Sequence, residues 1–391
     1  MIKQSQRSDI PTFLALEGLR KAKALESDGA DIIHLEIGQP STAAPKIVTD
    51  ALIEALGRTD SHGYSVAMGM PELREAIVDH YQKSYEFTCE IDNIAVTVGS
   101  STAFALAFMA AFDEGDRVAL PTPGYPAYRN LMMAMGIEPV ALPARSEQSW
   151  MPSLEEMDSW DELPDGLIVA SPHNPTGVVL SDDELKEICE WCEARGVRLI
   201  SDEIYHGLSY DKPTTTAAHH SKSAIIVSGF SKYFSMTGWR LGWMIVPDDL
   251  LVPIQKLIAN LFISAPTPNQ LGAVKAFEAQ EDLDQNIARY RANRDILLKG
   301  LLPEFLGDHA PCEGAFYLYA DVSALTDDSV KLADDLLSKA GVAVTSGLDF
   351  DPEQGGKHLR LSFAGSSEDM HEAVLRINAF VQSELRIQSI A

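Results

Sequence analysis

The stretch SGFSKYFSMTGWRLGW (228–243) places one lysine, Lys232, and one arginine, Arg240, among small, hydroxylic and apolar residues. The apolar runs 224–227 and 241–246 flank it and predict two buried strands that this stretch connects. A lysine at the end of a buried sheet has a lowered pKa, which makes the neutral amine available for Schiff-base chemistry. A surface lysine on a solvated loop is the ordinary alternative, and the rest of the chain decides between the two.

Short apolar runs alternate with helical patterns through the middle of the chain. They lie at 94–98, 117–120, 167–170 and 197–200, besides the two named above. Near-continuous apolar strands separated by helices predict an α/β fold in which helices sandwich a mostly parallel sheet. From about Asp282 a long charged helical pattern precedes three shorter strand-like runs, which indicates a smaller α+β domain. These runs lie at 315–319, 342–344 and 358–363.

The composition excludes several classes of function. The formal net charge of −26 argues against nucleic-acid binding, which needs clustered basic residues. The longest apolar run, 103–112, is too short to cross a bilayer, and the N-terminus lacks a signal-peptide pattern. We therefore predict a cytoplasmic protein without a membrane partner.

Four cysteines in 391 residues do not indicate a disulfide framework. Cys189 and Cys192 form a C-x-x-C pattern, but it falls within a predicted helix that Ser181 and Glu184 begin as a capping box. We interpret both cysteines as core residues, because no second pair with ligand spacing accompanies them, and we predict no metal site.

Polar side chains follow several of the predicted strands, at the edge where open α/β sheets bind ligands. Ser100, Ser101 and Thr102 follow Gly99 at the start of an apolar helix predicted to begin near Ala103. Free N–H groups at a helix start favour an anion such as phosphate, although ordinary capping is the alternative.

Three further strand ends contain unusual polar residues. Asn174 lies between two prolines in SPHNPTG (171–177), where an ordinary turn is the alternative. Asp202 ends a buried strand in SDEIY (201–205) and needs a cationic or protonated group to face it. Arg360 lies in an apolar strand, where it is suited either to clamp a carboxylate or to form a core ion pair.

Together these sites fit one ligand. It has an aldehyde for Lys232, a phosphate for the helix start and Arg240, a ring nitrogen for Asp202, and a phenolic oxygen for Asn174 and Tyr205. That ligand is pyridoxal 5′-phosphate, which we predict as the cofactor.

The sequence resembles the class I/II aminotransferases of the fold-type-I pyridoxal-phosphate enzymes, the aspartate/aromatic aminotransferase-like group. The motifs that carry the resemblance are SPHNPTG (171–177), SDEIY (201–205), SGFSK and TGWRLG (228–242), HLRLSFA (358–364), LEIGQP (35–40), GYSVAMGMPELREAI (63–77) and PTPGYPAY (121–128). The resemblance covers nearly the whole chain. It implies an N-terminal arm and part of the small domain at 1–45, a large cofactor-binding domain at 46–285 and a small C-terminal domain at 286–391.

The resemblance also implies a role for each matching residue. Lys232 is expected to hold the internal aldimine and to move the substrate proton, with Asp202 and Tyr205 as the other catalytic residues. The expected cofactor-binding residues are Ser100, Ser101, Thr102, Tyr125, Asn174, Asp202, Tyr205, Ser231, Lys232, Arg240 and Tyr64. Gly38, Asn174 and Arg360 are expected to bind the substrate. Because Tyr64 is expected to reach a neighbouring subunit's site, the resemblance implies a homodimer.

Two departures from the family pattern bear on the substrate. Gly229 stands where relatives often have a phosphate-binding hydroxyl, so Ser231 is expected to contribute more. No arginine occurs between Arg240 and Arg289, the region in which dicarboxylate-specific relatives place a second substrate-binding arginine. We therefore predict an apolar or aromatic L-amino acid donor and a 2-oxo acid acceptor, in a ping-pong reaction. Four aromatic residues are candidates to line the mouth of the site: Phe13, Tyr128, Phe234 and Phe262.

Three other functions compete with this interpretation. A C–S lyase, synthase or decarboxylase shares the scaffold and the cofactor, and the motifs around the ring barely separate them from transaminases. A cofactor-sensing regulator would need a DNA-binding module, which an acidic chain of this length does not indicate. A dinucleotide-dependent dehydrogenase is disfavoured because no G-x-G-x-x-G follows the first strand.

Overall fold

The computed structural model describes residues 2–146 and 150–388. The strands are β1 (Ile33–His34), β2 (Ile94–Thr97), β3 (Arg117–Thr122), β4 (Glu138–Pro143), β5 (Gly166–Ala170), β6 (Arg198–Asp202), β7 (Ile225–Gly229), β8 (Gly242–Ile245), β9 (Tyr317–Asp321), β10 (Val342–Ala343), β11 (Thr345–Ser346) and β12 (His358–Ser362). The α-helices are α1 (Leu14–Ser27), α2 (Lys46–Leu56), α3 (Pro71–Tyr85), α4 (Ser100–Ala111), α5 (Pro126–Met135), α6 (Leu154–Asp158), α7 (Asp182–Arg195), α8 (Leu251–Leu261), α9 (Thr267–Ala273), α10 (Gln280–Gly300), α11 (Pro303–Leu306), α12 (Ser329–Asp335) and α13 (Ser367–Gln388).

The largest sheet has the strand order β2-β8-β7-β6-β5-β3-β4. Strand β8 is antiparallel to both of its neighbours, and the remaining pairs are parallel. The prediction of a mostly parallel α/β sheet is confirmed. Strands β5, β6 and β7 are almost wholly buried because helices cover both faces, which is why their sequences are nearly continuous apolar runs.

Successive side chains of these strands pack into the apolar clusters on opposite faces of the sheet. Leu199 and Ile226 belong to the apolar cluster on one face, whereas Ile200 and Ile225 belong to the cluster on the other. This alternation follows from the two-residue period of a strand. It fixes the register of the sheet, because a slip of one residue would exchange the two faces.

The two ends of the chain combine in a smaller α+β unit. Strands β11, β12 and β9 form an antiparallel sheet, and β1 pairs in parallel with β10. Helix α10 packs against α13, and α1 packs against β11. The predicted boundary at 285/286 falls inside α10, so this helix extends from the edge of the large sheet into the smaller unit.

The two cysteines of the C-x-x-C pattern are buried on α7. The capping box forms as the sequence predicts: the Ser181 hydroxyl accepts from the Glu184 N–H, and the Glu184 carboxylate accepts from the Ser181 N–H at 2.7 Å. Burial raises the pKa of both Cys189 and Cys192 to about 12, so neither is a reactive thiolate.

Membrane spans and metal clusters were searched within residues 2–146 and 150–388. No helix there is both long and apolar enough to cross a bilayer. The same part of the chain contains no group of three or more histidine, cysteine or acidic side chains arranged to hold a metal ion.

The start of β8 touches the start of α4 backbone to backbone. A Cβ atom added at Gly242 would lie 2.7 Å from the Ser100 nitrogen and 2.8 Å from the Gly99 carbonyl carbon. Backbone atoms cannot turn aside as a flexible side chain can. A glycine at position 242 therefore allows the connection after β7 and the start of α4 to meet at one edge of the sheet.

We predict that Gly242→Ala destabilises the protein by about 1–3 kcal/mol, because the added methyl forces two backbone segments apart. Gly238→Ala is the matched control, since a Cβ at Gly238 meets nothing within 4 Å. Thermal unfolding of both variants beside the wild type measures the difference. Equal unfolding temperatures for the two variants would contradict the close packing at Gly242.

Candidate active site

A cavity of about 300 Å³ opens at the carboxyl ends of β5, β6 and β7. Ligands of open α/β sheets bind at this edge. Eleven of the residues predicted from the sequence line the cavity: Gly38, Ser100, Ser101, Tyr125, Asn174, Asp202, Tyr205, Ser231, Lys232, Arg240 and Arg360. The fold thus brings together segments that are far apart in the sequence.

Lys232 lies at the floor of this cavity, after β7. Its Nζ donates a hydrogen bond to the Gly38 carbonyl at 2.7 Å. Burial, together with the positive charges of Arg360 and Arg240, lowers the pKa of Lys232 to about 8, while Asp202 opposes the shift. About a tenth of the Lys232 side chain is therefore the neutral amine at pH 7, and about half at pH 8.

Asp202 ends β6 and is 4% exposed. Burial raises its pKa to about 6, against the effect of hydrogen bonds from the Tyr128 hydroxyl and the Ile204 N–H. The sequence predicted a cationic or protonated group facing Asp202, and both of these hydrogen-bond donors are protonated but neutral. Asp202 is therefore mostly a carboxylate at neutral pH, and the positive charge of Lys232 has a smaller effect on its pKa than burial and the two hydrogen bonds.

Helix α4 begins at Ser100, three residues earlier than the sequence indicated, and no side chain caps it. Gly99 has φ 75°, and a Cβ added there would lie 2.6 Å from the Arg240 Nη2. The guanidinium therefore lies directly against the helix start. Uncapped N–H groups, two serine hydroxyls and this cation form a site with the chemistry of an anion cradle.

Two predicted cofactor residues do not line the cavity. The Thr102 hydroxyl donates to the Val98 carbonyl at 2.8 Å, so it is used within the first turn of α4, and its assignment is corrected here. Tyr64 is 81% exposed and contributes nothing to the cavity of its own chain. The expected role of Tyr64 in a neighbouring subunit stays a prediction.

Arg360 is 4% exposed, and its guanidinium lies between two aromatic rings, 4.3 Å from the centroid of Tyr317 and 4.6 Å from that of Phe350. Its Nη1 donates to the Asn174 Oδ1 at 3.0 Å and its Nη2 to the Glu36 carbonyl at 2.7 Å. Its Nε has no hydrogen-bond partner among the described residues. The core ion pair that the sequence left open is not formed within that part of the chain.

The contact with Arg360 also fixes the orientation of Asn174. A guanidinium has only donors, so the Asn174 atom that faces it is the oxygen. The amide NH2 of Asn174 remains to donate to a ligand in the cavity.

Tyr317 is a cavity residue that the sequence did not reveal. Its hydroxyl lies 2.8 Å from the Tyr205 hydroxyl, and a Cβ added at Gly38 would overlap it. Position 38 therefore requires glycine, because the Tyr317 side chain occupies the space that a Cβ atom would take. Tyr317 and Tyr319 share the aromatic run AFYLY, and nothing in that run distinguishes which hydroxyl reaches the cavity.

The N-terminal part of the chain contributes an apolar wall to the cavity, next to the exposed polar side chain of Gln39. This wall is formed by Phe13, Ala15, Leu16 and Ile37. Of the other aromatic residues expected at the mouth of the site, Tyr128 lines the cavity, and its hydroxyl donates a hydrogen bond to the Asp202 carboxylate. The placement of Phe234 at the mouth was wrong, because its ring packs in the core 5.2 Å from Phe230. Phe262 packs against the core on the opposite face and also does not line the cavity.

The architecture and this cavity define a fold-type-I transferase. Residues 30–377 match the family described as aminotransferase class I and II, and the chain belongs to that family. It is therefore an enzyme that moves amino groups between amino acids and 2-oxo acids, and enzymes of this family generally depend on pyridoxal phosphate.

Similar proteins match over nearly their full length. A valine–pyruvate aminotransferase of Mycobacterium tuberculosis is 44% identical over 97% of this chain and 98% of its own length. A (5-formylfuran-3-yl)methyl phosphate transaminase of Methanocaldococcus jannaschii is 36% identical over 95% of this chain and 97% of its own. The crystal structure of an aminotransferase from Mycobacterium tuberculosis superposes with a TM-score of 0.95 at 44% identity, covering 98% of this chain and all of the other.

We predict that Tyr317→Phe costs about 1 kcal/mol of stability, because the buried Tyr205 hydroxyl loses its partner. Aminotransferase activity should fall with it, since Tyr205 lines the cavity. Tyr319→Phe is the control: the Tyr319 hydroxyl is buried without a partner among the described residues, so its removal should be neutral or stabilising. Urea unfolding of both variants measures this, and a larger loss for Tyr319→Phe would contradict the assignment.

Proposed function

We propose that this enzyme transfers the amino group of an apolar L-amino acid to a 2-oxo acid, using pyridoxal 5′-phosphate held at Lys232. The observation that carries this proposal is the distribution of charge in the cavity. The cavity combines a buried guanidinium, Arg360, with an apolar wall formed by Phe13, Ala15, Leu16 and Ile37. Within the described residues the cavity-lining cations are Lys232, Arg240 and Arg360, which leaves no second arginine for a side-chain carboxylate.

The cavity residues fit the cofactor. Ser100, Ser101, Ser231 and Arg240 suit its phosphate, because they combine an uncapped helix start with hydroxyls and a cation. Asp202 suits the ring nitrogen, and the free amide of Asn174 suits the phenolic oxygen beside Tyr205. The bound cofactor supplies an aldehyde that captures amines and a ring that withdraws electrons.

Lys232 has the properties of the residue that moves the substrate proton. Its pKa of about 8 lies within about one unit of neutral pH, which favours both accepting and returning a proton. Its Nζ is held by the Gly38 carbonyl at the floor of the cavity. From that place the neutral amine is positioned to take the proton from the substrate Cα atom.

Asp202 stabilises positive charge on the ring nitrogen. Its pKa of about 6 leaves the carboxylate mostly ionised at neutral pH, and the Tyr128 and Ile204 donors hold it in place. A buried carboxylate with neutral hydrogen-bond partners favours protonation of a nitrogen that faces it, because the protonated nitrogen carries a positive charge that pairs with the carboxylate.

Arg360 binds the α-carboxylate of the donor. Its guanidinium is desolvated and oriented by Asn174 and the Glu36 carbonyl, and neither of them neutralises its charge. A charge-assisted bond to a substrate carboxylate is therefore strong here. The donor side chain then extends toward the apolar wall, as an apolar amino acid requires. The similarity to a valine–pyruvate aminotransferase supports the same substrate class.

We predict that the enzyme loaded with pyridoxal 5′-phosphate accepts valine, leucine and alanine in a single turnover but accepts aspartate poorly. The absorbance change of the bound cofactor and the released oxo acid, measured without any acceptor, report this for each L-amino acid. Lys232→Ala is the control that should abolish turnover. Release of thiol, ammonia or carbon dioxide without oxo acid would instead identify a lyase or decarboxylase.

We also infer that the active form is a homodimer. Tyr64, Val66, Leu261 and Ile263 are exposed apolar residues. Their segments lie side by side, because Thr267 donates to the Gly63 carbonyl at 2.7 Å. An exposed apolar patch of this kind is typical of an interface. It supports a dimer in which Tyr64 reaches the partner's phosphate cradle. The cytoplasmic location stays a prediction.

Mixing Lys232→Ala and Tyr64→Ala subunits tests the shared site. Each hybrid dimer has one site with both residues intact, so random assortment should restore about a quarter of wild-type activity. A mixture of Lys232→Ala with Asp202→Asn is the control, because both changes remove residues from the chain's own cavity and no hybrid site is intact. Failure of the first mixture to regain activity would contradict the role of Tyr64 across the interface.

A further inference from the structure

Helix α1 begins without a cap from its own sequence. Its N-cap residue, Phe13, provides no side-chain hydrogen bond. The Leu14 N–H instead donates to the Asp349 Oδ1 at 3.0 Å, and the Ala15 N–H donates to the Asp349 Oδ2 at 3.1 Å. A carboxylate from the opposite end of the chain thus satisfies two of the free donors at a helix start.

The Asp349 side chain is almost fully buried. It is 2% exposed and ends the 3₁₀ turn Gly347–Asp349. Burial raises its pKa, and the two N–H bonds oppose that shift. A buried carboxylate is costly unless hydrogen bonds compensate it, and here each oxygen accepts one from the start of α1.

The segment that Asp349 holds is the apolar wall of the cavity. Phe13, Ala15 and Leu16 line it, and the Phe13 ring meets Tyr125 edge to face with centroids 5.9 Å apart. Asp349 is not itself a lining residue. Its effect on a substrate therefore passes through the wall residues.

The residue after Asp349 lies against Arg360. Phe350 packs on the Arg360 guanidinium, and its carbonyl accepts from the Gly124 N–H at 3.0 Å, next to Tyr125. The Asp349 carbonyl accepts from Arg129 at 3.3 Å. The consecutive residues Asp349 and Phe350 thus connect Arg360 to the wall formed by Phe13, Ala15 and Leu16.

We propose that Asp349 is a positioning residue that sets donor selectivity, by fixing the Phe13 to Leu16 wall at a defined distance from Arg360. This inference rests on the proposed function, because it takes the α-carboxylate to bind at Arg360 and the side chain to pack on the wall. A fixed wall discriminates among donors by the apolar contact that each side chain makes with it.

The test compares Asp349→Asn with Asp351→Asn in the cofactor-loaded enzyme. Asparagine keeps the shape of Asp349 but replaces one acceptor oxygen with an NH2 that faces an N–H donor. We expect KM for valine and leucine to rise about tenfold, with kcat and cofactor binding nearly unchanged, since contact with the wall is weakened. The lost carboxylate charge, which acts on Arg360 through space, affects every donor carboxylate alike, so the difference between leucine and alanine measures the contribution of the wall. Alanine, which reaches the wall least, should be affected least.

Asp351→Asn is the matched control. Asp351 is 7% exposed, and one carboxylate oxygen accepts from the Glu353 and Gln354 N–H groups at 2.9 Å, so it caps its own turn without touching α1. Amide hydrogen exchange at Leu14 and Ala15 gives a second readout, expected to accelerate only in Asp349→Asn. Equal kinetics and equal exchange in the two variants would overturn the inference. Failure of the wild type to transaminate any apolar donor would overturn the proposed function instead, while the exchange result would still test the anchor.

Discussion

The buried guanidinium of Arg360 is the constraint around which the cavity is arranged. Removing a cation from water costs several kcal/mol unless an anion compensates it. The direct contacts of the Arg360 guanidinium are neutral acceptors and aromatic faces, and the buried Asp349 carboxylate acts on it only through space. The guanidinium orients the Asn174 amide by donating to its oxygen, and it donates a second hydrogen bond to the Glu36 carbonyl. The rings of Tyr317 and Phe350 pack against it. Arg360 thus remains a buried positive charge without a direct ionic partner among the described residues.

The same charge acts on Lys232. Permanent cations nearby disfavour a third, so Arg360 and Arg240 add to the effect of burial in lowering the pKa of the lysine. An anion bound at either arginine would weaken that effect and raise the pKa. Substrate and cofactor binding are thereby coupled to the protonation of Lys232 through space, without any movement of the backbone.

Much of this site could be predicted from the sequence, because its residues lie in short motifs at the ends of recognisable strands. Lys232, Asp202, Asn174 and Arg360 were all placed in this way, and all line the cavity. The errors concern residues whose direction depends on tertiary packing. Phe234 and Thr102 lie in the right segments, but their side chains point into the core or back along the helix. Tyr317 and Asp349 were missed because their partners, Tyr205 and Leu14, lie far away along the chain.

The reversal of β8 has a consequence for how the enzyme can vary. Because β8 runs antiparallel to β7, the chain turns back at the edge of the sheet without the long crossover that a parallel partner would need. One short connection therefore carries both Lys232 and Arg240 to the cavity, and its length sets the spacing between the amine and the guanidinium. If a phosphorylated aldehyde binds as proposed, that spacing would have to match the distance between its two ends. Insertions in other loops at this edge of the sheet would change the shape of the cavity entrance. An insertion between Lys232 and Arg240 would instead change the distance between these two side chains.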